Sequence, residues 1–217
     1  MKKRSGLFIS FEGPDGSGKS SVLKAIEQKI KTEFKNVDLM LVREPGGTKF
    51  GEIIRDAILS PKNQMLPITE ALLFAASRAE LFQGPALDHL KNNGLLISDR
   101  YVDSSIAYQG VARKIGANTI TEINAFATKN LTPNLTFFLM IQPEKAILRI
   151  NQNRKNQKDR LDTEDLSFHK RVYRAYKQII KDNPKRAVWI DAYQDLDVVI
   201  ADVWNKLSKV IKKHYIK

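Results

Sequence analysis

Residues Gly13-Pro-Asp-Gly-Ser-Gly-Lys19-Ser20 leave this chain few choices of fold. They follow an apolar run, Leu7-Phe-Ile-Ser-Phe11, and fit G-x-x-x-x-G-K-[ST], the pattern of a phosphate-cradling P-loop. Small residues let backbone N–H groups converge on phosphate oxygens, and Lys19 reaches the outer phosphates. Ser20 offers a hydroxyl to Mg²⁺, and a helix starting near Lys19 points its positive end at the anion. Average composition yields the pattern by chance in roughly one chain of this length in a hundred. The apolar run before it and the helical spacing of Val22, Leu23, Ile26 and Ile30 after it reduce chance further. Gly13, Pro14, Asp15, Gly16, Ser17, Gly18, Lys19, Ser20 and Ser21 are therefore the candidate triphosphate site.

A loop of this kind needs a sheet behind it, and the rest of the chain supplies one. Apolar, β-rich runs occur at 7–11, 37–42, 94–98, 135–141 and 187–190, with helically spaced segments between them. The order is βαβα, and apolar residues on both alternations predict a parallel sheet covered on both faces. The expected architecture is a three-layer α/β sandwich around a five-stranded parallel sheet, with right-handed crossovers. At 217 residues the chain is expected to form one domain. Phe168, Val172, Tyr176 and Ile179 mark a core-facing helix with Thr163 as its expected N-cap. A second stripe from Leu196 to Ile211 closes the chain. Pro67 opens a helix through Phe74 and Arg78, which Gly84-Pro85 should interrupt. Residues 151–160 are the one strongly polar insert.

Composition excludes more than it selects. No cysteine is present, so disulfides, thiol nucleophiles and cysteine-based zinc sites are out. No run reaches the length of a membrane span. Met1-Lys-Lys-Arg leads directly into the loop-bearing strand, which argues against a cleaved leader; a cytoplasmic protein is expected. The net charge of +12 fits either a nucleic-acid surface or a lysine-rich solvated one with a site for several phosphates. The densest basic run, Arg154 to Arg160, has no interleaved aromatics on which bases could stack, so no nucleic-acid partner is expected.

Ligands of such sheets gather beyond the carboxyl ends of the strands, which selects the residues to weigh. After the second run stands Arg43-Glu-Pro-Gly-Gly-Thr48, and after the third Asp99-Arg-Tyr101. An isolated arginine is most often a surface ion pair. Arginines on two strand ends beside a triphosphate loop point instead to a second phosphate group, which a guanidinium fork suits. Asp99 stands where a carboxylate can share Mg²⁺ with Ser20. His89, His169 and His214 show no catalytic spacing.

These segments together resemble the thymidylate kinase family of nucleoside monophosphate kinases. The resemblance covers nearly the whole chain. It is carried by Phe11-Glu-Gly-Pro-Asp-Gly-Ser-Gly-Lys-Ser20, Arg43-Glu-Pro-Gly-Gly-Thr48, Thr69-Glu-Ala-Leu-Leu-Phe-Ala-Ala-Ser-Arg78, Asp99-Arg-Tyr-Val-Asp-Ser-Ser-Ile-Ala-Tyr-Gln-Gly110 and Asp159-Arg-Leu-Asp162. It implies the P-loop kinase fold, ATP and dTMP as substrates, Mg²⁺ as cofactor, dTDP formation in dTTP synthesis, and a homodimer. Phe74 matches the aromatic that stacks on thymine and Arg78 the arginine that hydrogen-bonds its ring; at i and i+4 they share a helix face. Periodicity alone would place Phe74 in the core. Ser105, Tyr108 and Gln109 match positions lining base and sugar, with Tyr108 crowding a ribose 2′-hydroxyl. Arg43, Arg55 and Arg100 match residues near the acceptor phosphate. Asp15 matches an acidic residue near the acceptor's sugar and phosphate.

A lid at about 151–161 is implied as well. Members without a basic residue in the P-loop place the catalytic arginine in the lid. Gly16 stands at that loop position here, so Arg154 and Arg160 are the implied lid arginines, the bacterial arrangement. Lys19, Arg100, Arg154, Arg160 and Asp15 form the implied catalytic set. Two other functions share the P-loop. A deoxynucleoside kinase would need a base for a neutral 5′-hydroxyl, whereas this chain offers arginines to a phosphate. A P-loop switch or nucleic-acid-binding module would rest on the +12 charge alone.

Overall fold

The computed structural model describes residues 5–153 and 159–216. Five strands, β1 (Leu7–Glu12), β2 (Leu39–Arg43), β3 (Leu95–Asp99), β4 (Leu135–Met140) and β5 (Ala187–Asp191), form one parallel sheet in the order β2-β3-β1-β4-β5. The five apolar runs are these strands. β1 lies at the centre, so the loop that follows it opens at the middle of the sheet's carboxyl edge.

Alternation along the strands sorts side chains into two layers. Leu7, Ile9 and Phe11 of β1, Leu95 and Ile97 of β3, and Phe137 and Leu139 of β4 face one side. They pack there against α1 (Lys19–Glu33) and α9 (Leu196–Tyr215) through Val22, Ile26, Ile30, Val203, Leu207 and Ile211. On the opposite side, Phe8 and Leu96 pack with Leu81 and Phe82 of α3 (Pro67–Phe82) and with Ala86 and Leu90 of α4 (Pro85–Lys91). Phe138 and Met140 join α2 (Lys49–Leu59) and α8 (Leu166–Asp182) in a further cluster with Phe74. Two connections complete this layer. The first is α5 (Val102–Ser105), which runs into the wide π-helical segment Ile106–Ala112; the second is α6 (Ala117–Thr128). Finally, α7 (Pro143–Asn153) follows β4.

One thread on the α3/α8 side is polar. Ser10 and Glu12 share the Phe8 alternation of β1 and are fully buried. Ser10 Oγ lies 2.8 Å from Thr136 Oγ1, and Arg186 beside it forks onto Asp103 at 2.6 and 2.8 Å. Buried polar groups survive when they are paired, as these are.

Two details differ from the sequence reading. The N-cap of α8 is Asp165, not Thr163: Asp165 Oδ1 accepts from Phe168 N at 2.6 Å. Thr163 Oγ1 instead donates to the carbonyl of Arg160, so its hydroxyl is spent inside the preceding turn. β2 begins at Leu39 and is only partly covered, because it is an edge strand. Among the described residues, no helix is long and apolar enough to cross a membrane.

Candidate active site

The phosphate loop leaves β1 at Gly13 and enters α1 at Lys19. Gly13 and Gly16 have φ of 140° and 76°, where L side chains are strained. Space is closed at both as well. A Cβ on Gly13 would meet the carbonyl oxygen of Leu139, and one on Gly16 the carbonyl oxygen of Ala146 in α7. Lys19 is buried and folds back onto the loop, with Nζ 2.9 Å from Gly13 O and 3.1 Å from Pro14 O. Burial, with Arg100 nearby, lowers its pKa to about 8.

The loop opens into a cleft of about 680 Å³, lined from Asp15 to Ser21 on one wall. Arg43, Arg55, Phe74, Arg78, Asp99, Arg100, Ser105, Tyr108 and Gln109 are among the residues that line the rest. The candidate phosphate and base residues thus meet in a single cleft.

Arg100 sits at the seam. Its N–H continues the β1–β3 ladder to Phe11 O at 2.9 Å, and its φ of 73° turns the chain away from the sheet. Nη2 pairs with Asp15 Oδ1 at 2.7 Å, and Nη1 is shared among Gly13 O, Ser104 Oγ and Tyr176 OH at 3.0–3.2 Å. Tyr108 OH donates to Asp15 Oδ2 at 2.7 Å, and the guanidinium lies over the Tyr108 ring at 5.1 Å. Asp15, Arg100 and Tyr108 form one closed triangle at the loop's mouth.

The other arginines differ in how committed they are. Arg43, at the exposed end of β2, pairs with Glu52 at 2.8 Å, and Arg55 donates to Pro45 O at 2.8 Å. Arg78 is 1% exposed and pairs with the equally buried Glu44. It also donates to Ser105 Oγ at 2.9 Å, to Tyr101 O at 3.2 Å and to Asn124. Its Nε makes no hydrogen bond among the described residues. Phe74, one turn earlier on α3, is 8% exposed, so it belongs to the core and to the cleft wall at once.

The insert departs from expectation. Arg154 lies outside the described residues. Arg160 does not line the cleft, although Asp159 and Leu161 on either side of it do. Its Nη2 pairs with Glu70 Oε2 at 2.6 Å and its Nε donates to Ile58 O. Glu70 is 1% exposed and also takes Gln109 Nε2 at 2.7 Å and Arg113 at 3.2 Å. A buried carboxylate requires such partners. For Arg160 to serve the donor phosphates, its pair with Glu70 must break.

The oxygen ligands of Mg²⁺ can be tested against the residues present. Ser20 and Asp99 both line the cleft, and Asp99 Oδ1 is buried with no hydrogen-bond partner among the described residues. A hard cation with oxygen ligands fits that orphaned acceptor. No group of three acidic or histidine side chains that could hold a metal is found among the described residues. A cation here would therefore take its remaining ligands from phosphate and water.

Sequence reasoning passed over two residues beneath the cleft. Glu12, fully buried at the end of β1, touches Tyr101 N, Ser104 and Tyr176 OH. Burial and the charge of Asp103 push its pKa up to about 7. A carboxylate in an apolar strand was the available signal. Tyr176 gave none, because it sits in the core stripe of α8.

A P-loop at the centre of a parallel sheet, facing an arginine-lined wall across one cleft, defines a nucleotide-dependent phosphotransferase of the nucleoside monophosphate kinase fold. The family model for thymidylate kinase matches residues 11–203. The chain is 46% identical over 209 residues to the thymidylate kinase of Lactobacillus acidophilus, covering 96% of each, and 45% identical over 196 residues to that of Enterococcus faecalis, covering 90% and 92%. The crystal structure of thymidylate kinase from Ehrlichia chaffeensis superposes with a TM-score of 0.75 at 28% identity, over 94% of this chain and 99% of that one. The chain belongs to the thymidylate kinase family.

The state of Lys19 yields a measurable consequence. With its pKa at about 8, the side chain is partly neutral in alkaline solution, and a bound triphosphate restores the ammonium. Calorimetry of nucleoside triphosphate binding at pH 9 in buffers of different ionisation enthalpy should report proton uptake, and affinity should fall as pH rises past 8. Proton-neutral binding with flat affinity from pH 7.5 to 9.5 contradicts this environment for Lys19.

Proposed function

We propose that this chain transfers the γ-phosphoryl group of ATP to the 5′-phosphate of dTMP, giving dTDP and ADP for dTTP synthesis. The observation that carries the reading is the Asp15–Arg100–Tyr108 triangle. It joins the triphosphate loop to the pocket of Phe74 and Arg78, with the Arg100 guanidinium at the seam.

The reaction needs little covalent help. An oxygen of the dTMP phosphate, already anionic, forms a bond to the γ-phosphorus while the bond to the β–γ bridging oxygen breaks and ADP leaves. No general base is called for. The work falls to cations that offset repulsion between two anions and hold charge on the group in flight. Lys19 serves the donor phosphates and Arg100 the acceptor, with Arg43 and Arg55 on its outer side. Arg160 and Arg154 supply further positive charge once the insert at 151–161 folds over ATP. Ser20 and Asp99 would hold Mg²⁺, which when bound would supply further neutralising charge to the donor. Phe74 stacks on thymine, while Arg78, Ser105 and Gln109 read its edge; Tyr108 and Asp15 bound the sugar. The chain acts as one catalytic domain in the cytoplasm. A deoxynucleoside kinase is disfavoured here because Asp15, the carboxylate at the loop's mouth, already accepts from Arg100 and Tyr108.

A second copy of the chain is the proposed partner. Phe50 and Ile53 of α2, Leu72 of α3 and Phe126 of α6 leave large apolar side chains in solvent, Phe126 at 86% exposure. These helices are neighbours, since α3 packs on both α2 and α6. Exposed apolar groups gathered on adjacent helices fit a subunit interface.

Three measurements test the reading. Coupled ADP release with saturating MgATP should favour dTMP strongly over dAMP, dGMP and dCMP; equal turnover of the four removes it. Phe74→Ala should raise KM for dTMP by roughly tenfold with kcat little altered, since stacking of about 1–3 kcal/mol per base is ground-state binding. An unchanged KM returns Phe74 to the core alone. Sedimentation should give twice the chain mass, and Phe126→Glu should shift it to the monomer; a wild-type monomer at micromolar concentration excludes the dimer.

A further inference from the structure

Arg100 is held from beneath by Glu12 and Tyr176, which do not line the cleft, and by Ser104, which stands at its wall. Its Nη1 faces Ser104 Oγ at 3.0 Å and Tyr176 OH at 3.2 Å. Each hydroxyl has one hydrogen, and each lies near the same oxygen: Glu12 Oε2 is 2.5 Å from Ser104 Oγ and 3.2 Å from Tyr176 OH, and the two hydroxyl oxygens also lie 2.9 Å from each other. The other carboxylate oxygen, Oε1, accepts the backbone N–H of Tyr101 at 2.8 Å and of Ser104 at 3.3 Å. Tyr101 directly follows Arg100, and Ser104 lies one helical turn further along in α5. Glu12 therefore holds both the turn that carries Arg100 and the hydroxyls that face its guanidinium.

Direction matters in this network. A guanidinium only donates, so Ser104 and Tyr176 must present lone pairs to Arg100 and send their hydrogens elsewhere. Above its raised pKa of about 7, Glu12 is an ionised carboxylate with four incoming donors, and that is the acceptor that permits this. We propose that Glu12 is a positioning residue for the phosphoryl-transfer reaction: by collecting the hydrogens of Ser104 and Tyr176, it turns their lone pairs toward Arg100 and aims that guanidinium at the acceptor phosphate. The charged and titratable groups facing it are Asp103 and Arg186 on one side, and Arg100, Lys19 and Tyr176 on the other. Asp103 is forked by Arg186, which fixes the far side of the network.

The inference rests on Arg100 serving the acceptor phosphate, and the test separates the two. Glu12→Gln keeps the shape but brings an amide that cannot accept on both arms. In the wild-type background it should lower kcat/KM for dTMP by about tenfold, with the Kd for ATP within about twofold of wild type. In an Arg100→Ala background the same substitution should cost less than about twofold, because residues acting as one unit do not add. Equal losses in both backgrounds, or no loss in the first, overturn the role of Glu12. Unaltered dTMP kinetics in Arg100→Ala alone would overturn the reading of Arg100 and the proposal with it. Should Glu12→Gln not fold, Tyr176→Phe carries the same cycle, removing one hydroxyl while leaving the carboxylate in place. Its expected loss is about threefold in the wild-type background and none beside Arg100→Ala. Equal losses from Tyr176→Phe in the two backgrounds, or none in wild type, count against the proposal as well.

Discussion

The site depends on one guanidinium held between two strands. Arg100 leaves β3 in a left-handed conformation that costs a non-glycine residue about 1–2 kcal/mol. That cost is met by fixing the backbone through Phe11 O and the side chain through Gly13, Asp15, Ser104 and Tyr176. These partners come from β1, the P-loop, α5 and α8. Moving any of those elements shifts the guanidinium that ties the P-loop to the cleft wall. The sheet order makes the arrangement possible, because β1 and β3 are neighbours and both end at the cleft.

Much of this was legible from residues alone, for reasons that are local. Five apolar runs became five strands because a buried parallel sheet needs apolar side chains on both faces. The P-loop was legible because its glycines answer to backbone geometry, which sequence encodes directly. Arg43 and Arg100 stand out by their place at strand ends, Arg43 closing β2 and Arg100 following β3. Phe74 shows why a choice between core and site can be false: the same ring packs against the interior and lines the cleft.

What escaped was set by tertiary pairing. Thr163 and Asp165 both suit an N-cap, and the difference lies in where the preceding turn spends the threonine hydroxyl. Arg160 reads as a lid arginine, yet Glu70 on α3, ninety positions away, claims its guanidinium in this structure. Nothing near Tyr176 marks it as more than a core aromatic. Its hydroxyl acquires meaning only when α8 lies beneath the cleft beside Glu12 and Arg100.

The carbonyl of Ala146 pressed against Gly16 has an evolutionary consequence. Relatives of the other type carry an arginine at this loop position, and here that side chain would meet helical backbone at its first carbon. Helix α7 would have to retreat at the same time, and α7 is the segment that leads into the insert where the alternative arginines lie. A side chain at position 16 therefore requires a movement of the backbone as well as a new residue.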